Sequence, residues 1–437
     1  MIRPRWRALG SPAAAFVSPL IALAITVVAG AALFALLDRP PGQALALFFV
    51  EPLRDARGWS ELSVKATPLI LIALGLAVAF RANVWNIGAE GQFIAGALVA
   101  TAIALRADDQ SGRGIVVAIV AGGALGGIVW AAVVAALRDR FGASEILVSL
   151  MLVYVAELLL GYLVYGPWKD PQGFNFPQTA SFAPATVIPR LADGYRAHVG
   201  VVIALGGALA TWLFVFRSYA GFQLEVGGVA PRAARYAGFS ARRALWTALL
   251  VSGAAAGVAG ALEVAGPIGQ LTPHFPVGYG FAAIIVAFVG RLHPFGVVLA
   301  ALLMSMFYIG GELVQSRLGL PRALTGVFQG LLLFALLACD AAEQRLRLRA
   351  RRRRKRTGER GDHPGGPRGE DRADHPGDHE AEDAADHQGE DRADHPGDQR
   401  GEGSRGGRSS DRPDDRAGDP GAGVNDTRGP GRGPERA

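Results

Sequence analysis

Long apolar stretches recur along most of the chain and limit its possible folds more than any other feature. Crossing a hydrocarbon layer of ~30 Å takes about 20 apolar residues, and lipid requires backbone polar groups to be bonded within the segment. We therefore expect an all-α polytopic membrane protein with about ten transmembrane helices. The stretches occupy residues 14–37, 62–80, 91–105, 114–137, 144–165, 198–217, 244–262, 278–290, 295–313 and 321–339.

Two of these stretches, 91–105 and 278–290, are short and carry glycine or adjoin proline, which predicts broken or re-entrant helices. Small residues fill several others. The spacing of Gly253 and Gly257 is typical of helices that pack closely within a membrane.

The composition changes sharply near residue 340. Residues 1–340 form the predicted transmembrane domain, which includes a polar loop at 218–243. Residues 341–437 begin with the basic cluster Arg345–Arg356 and continue with two copies of GEDRADHPGD, at 369–378 and 389–398. So few apolar residues cannot form a core, which predicts a disordered polar tail.

The formal net charge of +6 does not indicate nucleic-acid binding, because much of it lies in this single cluster. A basic cluster directly after the last apolar segment is typical of an anchor to membrane lipid on the cytoplasmic face. Together with Arg3, Arg5 and Arg7, it predicts that both termini are cytoplasmic.

Residues typical of catalysis are scarce, and we expect neither an enzyme nor a catalytic or metal site. None of the three lysines, Lys65, Lys169 and Lys355, follows the glycine pattern of a phosphate-binding loop. The single cysteine, Cys339, has no other cysteine to share a metal with. We expect no cofactor in this chain, so energy for transport would come from an ion or another subunit.

Polar residues interrupt the apolar pattern at "RANVWNIGAEGQFIAGALVA", residues 81–100. Such groups are costly at membrane depth unless they face the bundle interior, a partner or a water-filled path. Amides and an indole suit a nucleoside or sugar passing through, which makes these residues, with the acid Glu263, candidates for a substrate pathway: Asn83, Trp85, Asn86, Glu90, Gln92 and Glu263. In the alternative interpretation, Asn86 and Gly88 end one helix, Glu90 begins the next, and Trp85 is an interfacial anchor.

The loop "GFQLEVGGVAPRAARYAGFSARR", residues 221–243, is too long for a tight turn. Proline is favoured at a helix start and glycine at a helix end, so we expect a short helix from Pro231 to Gly238. Its alanines keep it slim while Arg232 and Arg235 project. Such a helix could enter a groove on a soluble partner, and an ordinary polar loop is the alternative.

The two stretches together strongly resemble membrane subunits of bacterial ABC importers, of the nucleoside and simple-sugar type, in the superfamily of the branched-chain amino-acid permeases. The resemblance covers about residues 14–340. In that family the segment equivalent to 221–239 is the coupling helix that docks onto the ATPase subunit. The positions implied here are Pro231, Arg232, Ala233, Ala234, Arg235, Tyr236, Ala237 and Gly238.

The chain departs from the family pattern at Glu225, Gly227 and Ala230, and the departures bear on which ATPase it accepts. A third match, "ASEILVSLMLVYVAE" at 143–157, has Ser144 and Val153 where nucleoside-type permeases typically have asparagine.

The resemblance implies a permease subunit in the bacterial inner membrane that moves nucleosides or simple sugars by alternating access. Its partners would be an ATPase that binds ATP and Mg, a second related permease and an extracytoplasmic substrate-binding protein. Two alternatives remain at this stage. One is an ion-coupled secondary transporter with Glu90, Glu145 or Glu263 as proton carriers, and the other is a membrane scaffold with an interaction tail.

Overall fold

A computed structural model of the chain describes residues 17–108, 111–275 and 278–358, and these residues form helices and no strands. The predicted tail beyond residue 358 and the arginines at 3, 5 and 7 lie outside the described residues. The helices are α1 Val17–Leu36, α2 Pro41–Phe49, α3 Ala56–Arg81, α4 Ala89–Ala104, α5 Ile115–Phe141, α6 Glu145–Tyr165, α7 Gly200–Arg217, α8 Tyr219–Val229, α9 Pro231–Tyr236, α10 Ala241–Glu263, α11 Tyr279–Val289, α12 Pro294–Leu318 and α13 Ala323–Gly358.

The expected membrane architecture is confirmed. Eight helices in the described part of the chain are long and apolar enough to cross a membrane, namely α1, α3, α5, α6, α7, α10, α12 and α13. The short apolar helices α4 and α11 correspond to the two stretches expected to be broken or re-entrant. With them, the count agrees with the expected ten.

The centre of the bundle is a close contact of α3, α4 and α5 with α10. Glycines line the crossings: a side chain at Gly253 or Gly257 would overlap the backbone of Gly127 or Gly123 on α5. Gly96 on α4 meets Gly257 in the same way. The predicted close packing at Gly253 and Gly257 is therefore confirmed, and it lets backbones approach where larger residues would hold them apart.

A second packed region joins α1, α2, α12 and α13. Its core is aromatic, with the rings of Phe48 and Phe328 stacked at 4.5 Å and Phe34 lying 5.5 Å from Phe328. Helix α2 did not emerge from the apolar pattern, because its nine residues are too few to span a membrane.

Helix α13 continues without interruption past residue 340 to Gly358. The boundary placed at 340 was based on composition, and the division into two domains there stays a prediction.

Candidate functional site

The polar segment between α3 and α4 breaks the helix earlier than expected. Helix α3 ends at Arg81, and Asn83 adopts a left-handed backbone conformation with φ of 57°. Asparagine tolerates this conformation better than most residues, so it can end the helix there. The expectation that Asn86 and Gly88 end a helix is therefore wrong. Gly88 lies directly before Ala89, which is the first residue of α4.

Asn86 is fully buried, and its amide is completely bonded. It exchanges hydrogen bonds with Gln92: Nδ2 of Asn86 donates to Oε1 at 2.9 Å, and Nε2 of Gln92 donates to Oδ1 at 3.2 Å. Nδ2 also donates to the hydroxyl of Ser252 on α10 at 2.9 Å, while the Gly88 amide donates to Oδ1. A buried network this well satisfied fixes the start of α4 against α10.

Glu90 lies in the first turn of α4, as expected, but its carboxylate binds a different helix. It is buried and accepts hydrogen bonds from the backbone amides of Gly278, at 3.0 Å, and Gly280. Those amides are at the beginning of α11, where unpaired N–H groups and the helix dipole favour an anion. Glu90 thus joins two short helices, α4 and α11, inside the bundle.

The other candidates of the substrate pathway occupy different places. Asn83 is exposed, and Trp85 is half-buried in an aromatic stack, 5.2 Å from Phe80 and 6.2 Å from Phe288. Glu263 is buried at the end of α10, where a π-helical turn, Val264–Ile268, follows. The structure therefore brings Asn86 and Gln92 into one cluster and leaves Asn83, Trp85 and Glu263 apart from it.

Arg81, the last residue of α3, connects several elements at this end of the bundle. Its Nε and Nη2 donate to the carbonyl oxygen of Leu292, in the α11–α12 turn, at 3.1 and 3.0 Å. Its guanidinium lies 4.9 Å from the centre of the Phe216 ring and forms an ion pair of 3.9 Å with Glu225 on α8. The backbone of α8 also touches α3, since a side chain at Gly228 would overlap the carbonyl of Arg81.

The same end carries the short helix expected at 231–238. Helix α9 begins at Pro231 and ends at Tyr236, and Gly238 follows with a φ of 77°. Ala234 is buried, whereas Tyr236 is 96% exposed, and the other residues of the segment are exposed as well: Pro231, Arg232, Ala233, Arg235, Ala237 and Gly238. The helix is present as predicted, and its role stays a prediction.

Side-chain contacts hold the segments around helices α8 and α9 in place. Asp139, at the end of α5, accepts hydrogen bonds from Arg242 at 2.6 Å and from the Trp246 indole at 3.1 Å. The rings of Tyr219 and Phe222 on α8 pack edge-on against Phe239. A cavity of about 230 Å³ lies between α8, α9 and the start of α10, with Arg235 and Arg243 among its lining residues.

At the opposite end of α7, His198 is buried in the segment that leads into this helix. Its Nδ1 accepts a hydrogen bond from the Gly200 amide at 3.1 Å, and its Nε2 has no hydrogen-bond partner among the described residues. Burial, with a smaller contribution from Arg196, lowers the pKa of His198 to about 4. The imidazole is therefore neutral near pH 7.

Several residues at these sites were missed by the sequence reasoning. Ser252 is a single hydroxyl in a small-residue helix, and nothing local connects it with Asn86, 166 positions away. Arg81 was visible as a charge at the end of an apolar run, a signal that could have singled it out. Tyr279 is fully buried with its hydroxyl unpaired among the described residues, and no sequence pattern marks it.

Comparison with known proteins gives one family match, to the branched-chain amino acid transport system / permease component family, over residues 59–337. A glucose ABC transporter permease of Haloferax volcanii is 35% identical over 77% of this chain and 89% of its own length. A guanosine ABC transporter permease of Bacillus subtilis is 33% identical over 58% of this chain and 74% of its own. A nucleoside ABC transporter permease of Lactococcus lactis is 27% identical over 72% of this chain and 89% of its own. No solved structure matches the chain.

Proposed function

This chain belongs to the permease family of branched-chain amino acid transport systems, and we propose that it carries nucleosides or simple sugars across the plasma membrane of a bacterium. It is a multi-pass membrane subunit of an ABC importer, a transport subunit rather than an enzyme. Such permeases work with an ATPase subunit and a substrate-binding protein. The relatives named for guanosine, nucleosides and glucose support the two substrate classes.

The proposed assembly contains this chain, a second related permease, ATPase subunits and an extracytoplasmic substrate-binding protein. ATP and Mg would bind to the ATPase subunits, and this chain would hold no cofactor of its own. Both termini would be cytoplasmic, with the basic cluster in the last turns of α13 against lipid headgroups. Closure of the ATPases would move residues 221–239 and reorient the helices, which opens the path alternately to each side.

One observation carries the coupling role, namely the exposed face of α9. A tyrosine that is 96% exposed beside an exposed arginine and small residues has the composition of a docking site. Asp139 and Arg81 hold the segments that flank α9. A displacement of α9 would therefore be transmitted to α5, α3 and the α11–α12 turn. This is the connection that a coupling element needs.

Two of the three acids of the rival secondary transporter, Glu90 and Glu145, have fixed partners that disfavour a proton-carrying role. Glu90 accepts two backbone hydrogen bonds at a helix start, and Glu145 forms an ion pair with Arg138. Each of these carboxylates is thus engaged by fixed donors. A carrier must instead gain and lose its proton readily during each cycle.

The experiment is the substitution Arg235→Glu in the assembled transporter, with Arg190→Glu as the matched control. Arg190 is an exposed arginine in the segment at the opposite end of α7. We expect Arg235→Glu to abolish co-purification of the ATPase and substrate-stimulated ATP hydrolysis, because a charge reversal at a docked interface costs about 2–5 kcal/mol. Intact co-purification and ATP-driven uptake with Arg235→Glu would show that 221–239 is an ordinary loop.

A further inference from the structure

Helix α6 exposes a carboxylate far from either of its ends. Glu157 lies eight residues before the end of the helix at Tyr165 and twelve after its beginning at Glu145. At ~1.5 Å per residue, the carboxylate is about 12 Å from the nearer end of the helix. A glutamate side chain is too short to cover this distance and reach the headgroups, unlike a long lysine or arginine near a helix end.

Glu157 belongs to a polar stripe on α6, formed by Tyr154, Glu157, Gly161 and Tyr165. Their spacing of three, four and four residues places them on one side of a helix, which they share with the exposed Leu158. Tyr154 and Tyr165 are 56% and 61% exposed, and Glu157 is exposed as well. The space beside Gly161 is open, since no atom comes within 4 Å of a Cβ atom built there.

The exposed faces of other helices lack this chemistry at their midpoints. Exposed residues near the middle of α1, α5 and α7 are Ile25, Val129 and Leu209, all aliphatic. Hydrocarbon solvates such side chains well, whereas it strongly disfavours a carboxylate. Within the described part of the chain, Glu157 is the one exposed acid in the middle third of a long apolar helix. A carboxylate at this depth therefore needs water or a polar partner beside it.

We propose that the polar stripe of α6 lines the translocation path and binds the hydroxylated part of the transported molecule. This inference rests on the proposed function and names a site for it. The Glu157 carboxylate accepts hydrogen bonds from two hydroxyls of a ribose or hexose. The rings of Tyr154 and Tyr165 offer flat surfaces to a sugar or base, and Gly161 leaves room between them.

The stripe borders the contact between α6 and the start of α4. Val153 is buried against α4 next to Gly91, and Glu157, one turn further along α6, lies at the edge of this packed side, while Tyr154 and Gly161 lie further round the helix. A path along this edge has the bundle on one side and requires a second wall on the other. The second permease of the proposed assembly supplies it, which puts the stripe at the boundary between the two subunits.

Thiol accessibility in the complete transporter tests whether the stripe meets water. Cys339→Ser removes the native cysteine, and Glu157→Cys or Gly161→Cys is then introduced, with Leu209→Cys on α7 as the matched lipid-facing control. We expect a membrane-impermeant, charged methanethiosulfonate to modify positions 157 and 161 at least about tenfold faster than position 209, because only a thiol in contact with water ionises and reacts. Guanosine or glucose, supplied with the binding protein, should slow the reaction at both positions.

Uptake kinetics test whether the stripe meets the substrate. Glu157→Gln keeps the shape and removes the charge, and we expect the KM for uptake to rise about tenfold, the effect of weakening one charged hydrogen bond. Glu61→Gln, in an exposed ion pair with Arg196, is the control and should leave the KM unchanged.

The outcomes separate the site from the function on which it rests. If positions 157 and 161 react as slowly as 209, or if neither guanosine nor glucose protects them and Glu157→Gln keeps the normal KM, the stripe is not a substrate site. Loss of the function itself has a different signature: the unmodified transporter would then show no ATP-driven uptake of either probe, whatever the thiols do.

Discussion

The two partners of the Arg81–Glu225 ion pair should contribute very unequally to stability. Arg81 is almost buried, donates two hydrogen bonds to Leu292 and lies over Phe216, while Glu225 approaches it only to 3.9 Å. Replacing Arg81 with methionine keeps much of its length and removes all of these interactions. Replacing Glu225 with glutamine removes the ion pair alone.

The structure sets the size of the difference. Charged hydrogen bonds to one carbonyl contribute about 1.5–3 kcal/mol, and a partly buried cation–π contact about 1 kcal/mol. Arg81→Met should therefore cost roughly 3 kcal/mol or more, with the Leu292 carbonyl left unpaired. The pair is long, at 3.9 Å, and the glutamine would keep an oxygen that can accept from Arg81, so we expect Glu225→Gln to cost only about 1 kcal/mol. Arg81→Lys should fall between them, since an ammonium cannot reproduce the guanidinium's two parallel donors.

The assay is the thermal midpoint of the purified transporter in detergent, read by the loss of monodisperse complex on size exclusion. Unfolding of such a protein is irreversible, so the variants are ranked at one heating rate. We expect shifts of roughly 5 °C for Arg81→Met and 2 °C or less for Glu225→Gln. Equal shifts for these two variants would refute the argument that Arg81 acts chiefly through Leu292 and Phe216.

Two further variants test the packing of the bundle and the buried histidine. Gly257→Leu should prevent folding at a cost above about 3 kcal/mol, because its side chain would overlap the α5 backbone at Gly123. The control Gly206→Leu faces open space and should be tolerated. Equal yields of folded protein for the two variants would contradict the close crossing. His198 has a pKa near 4 in the folded protein and a higher pKa when unfolded, so the unfolded state binds more protons between these values. The free energy of unfolding therefore falls as pH drops from about 7 to 4, by up to roughly 3 kcal/mol. His198→Gln, which retains an acceptor for the Gly200 amide, should reduce the pH dependence of the thermal midpoint over this range, and an unchanged dependence would refute the assignment.

The apolar pattern was enough to predict the membrane architecture, because hydrocarbon thickness and backbone hydrogen bonding leave few alternatives. The short helix at Pro231 was also predictable, since its proline and Gly238 are local signals. Both depend only on neighbours in sequence. Helix α2 was not predicted, because it is short and only one side of it is buried.

The interior contacts were not predictable from one sequence. Glu90 was expected to serve its own helix, and it does lie in the first turn of α4, but its carboxylate binds the start of α11, 188 residues away. The end of α3 depends on the backbone conformation of Asn83, which the pattern around Asn86 did not reveal. Such pairings follow from how the helices pack, and local spacing carries no information about them.

The most direct test of the account is uptake into vesicles that contain this chain. The complete transporter, with its ATPase, second permease and binding protein, is reconstituted and supplied either with ATP or with a proton gradient alone. We expect accumulation of guanosine or glucose with ATP, and none when the ATPase subunit is omitted. Robust accumulation driven by the proton gradient without ATPase would contradict the importer assignment and favour an ion-coupled transporter.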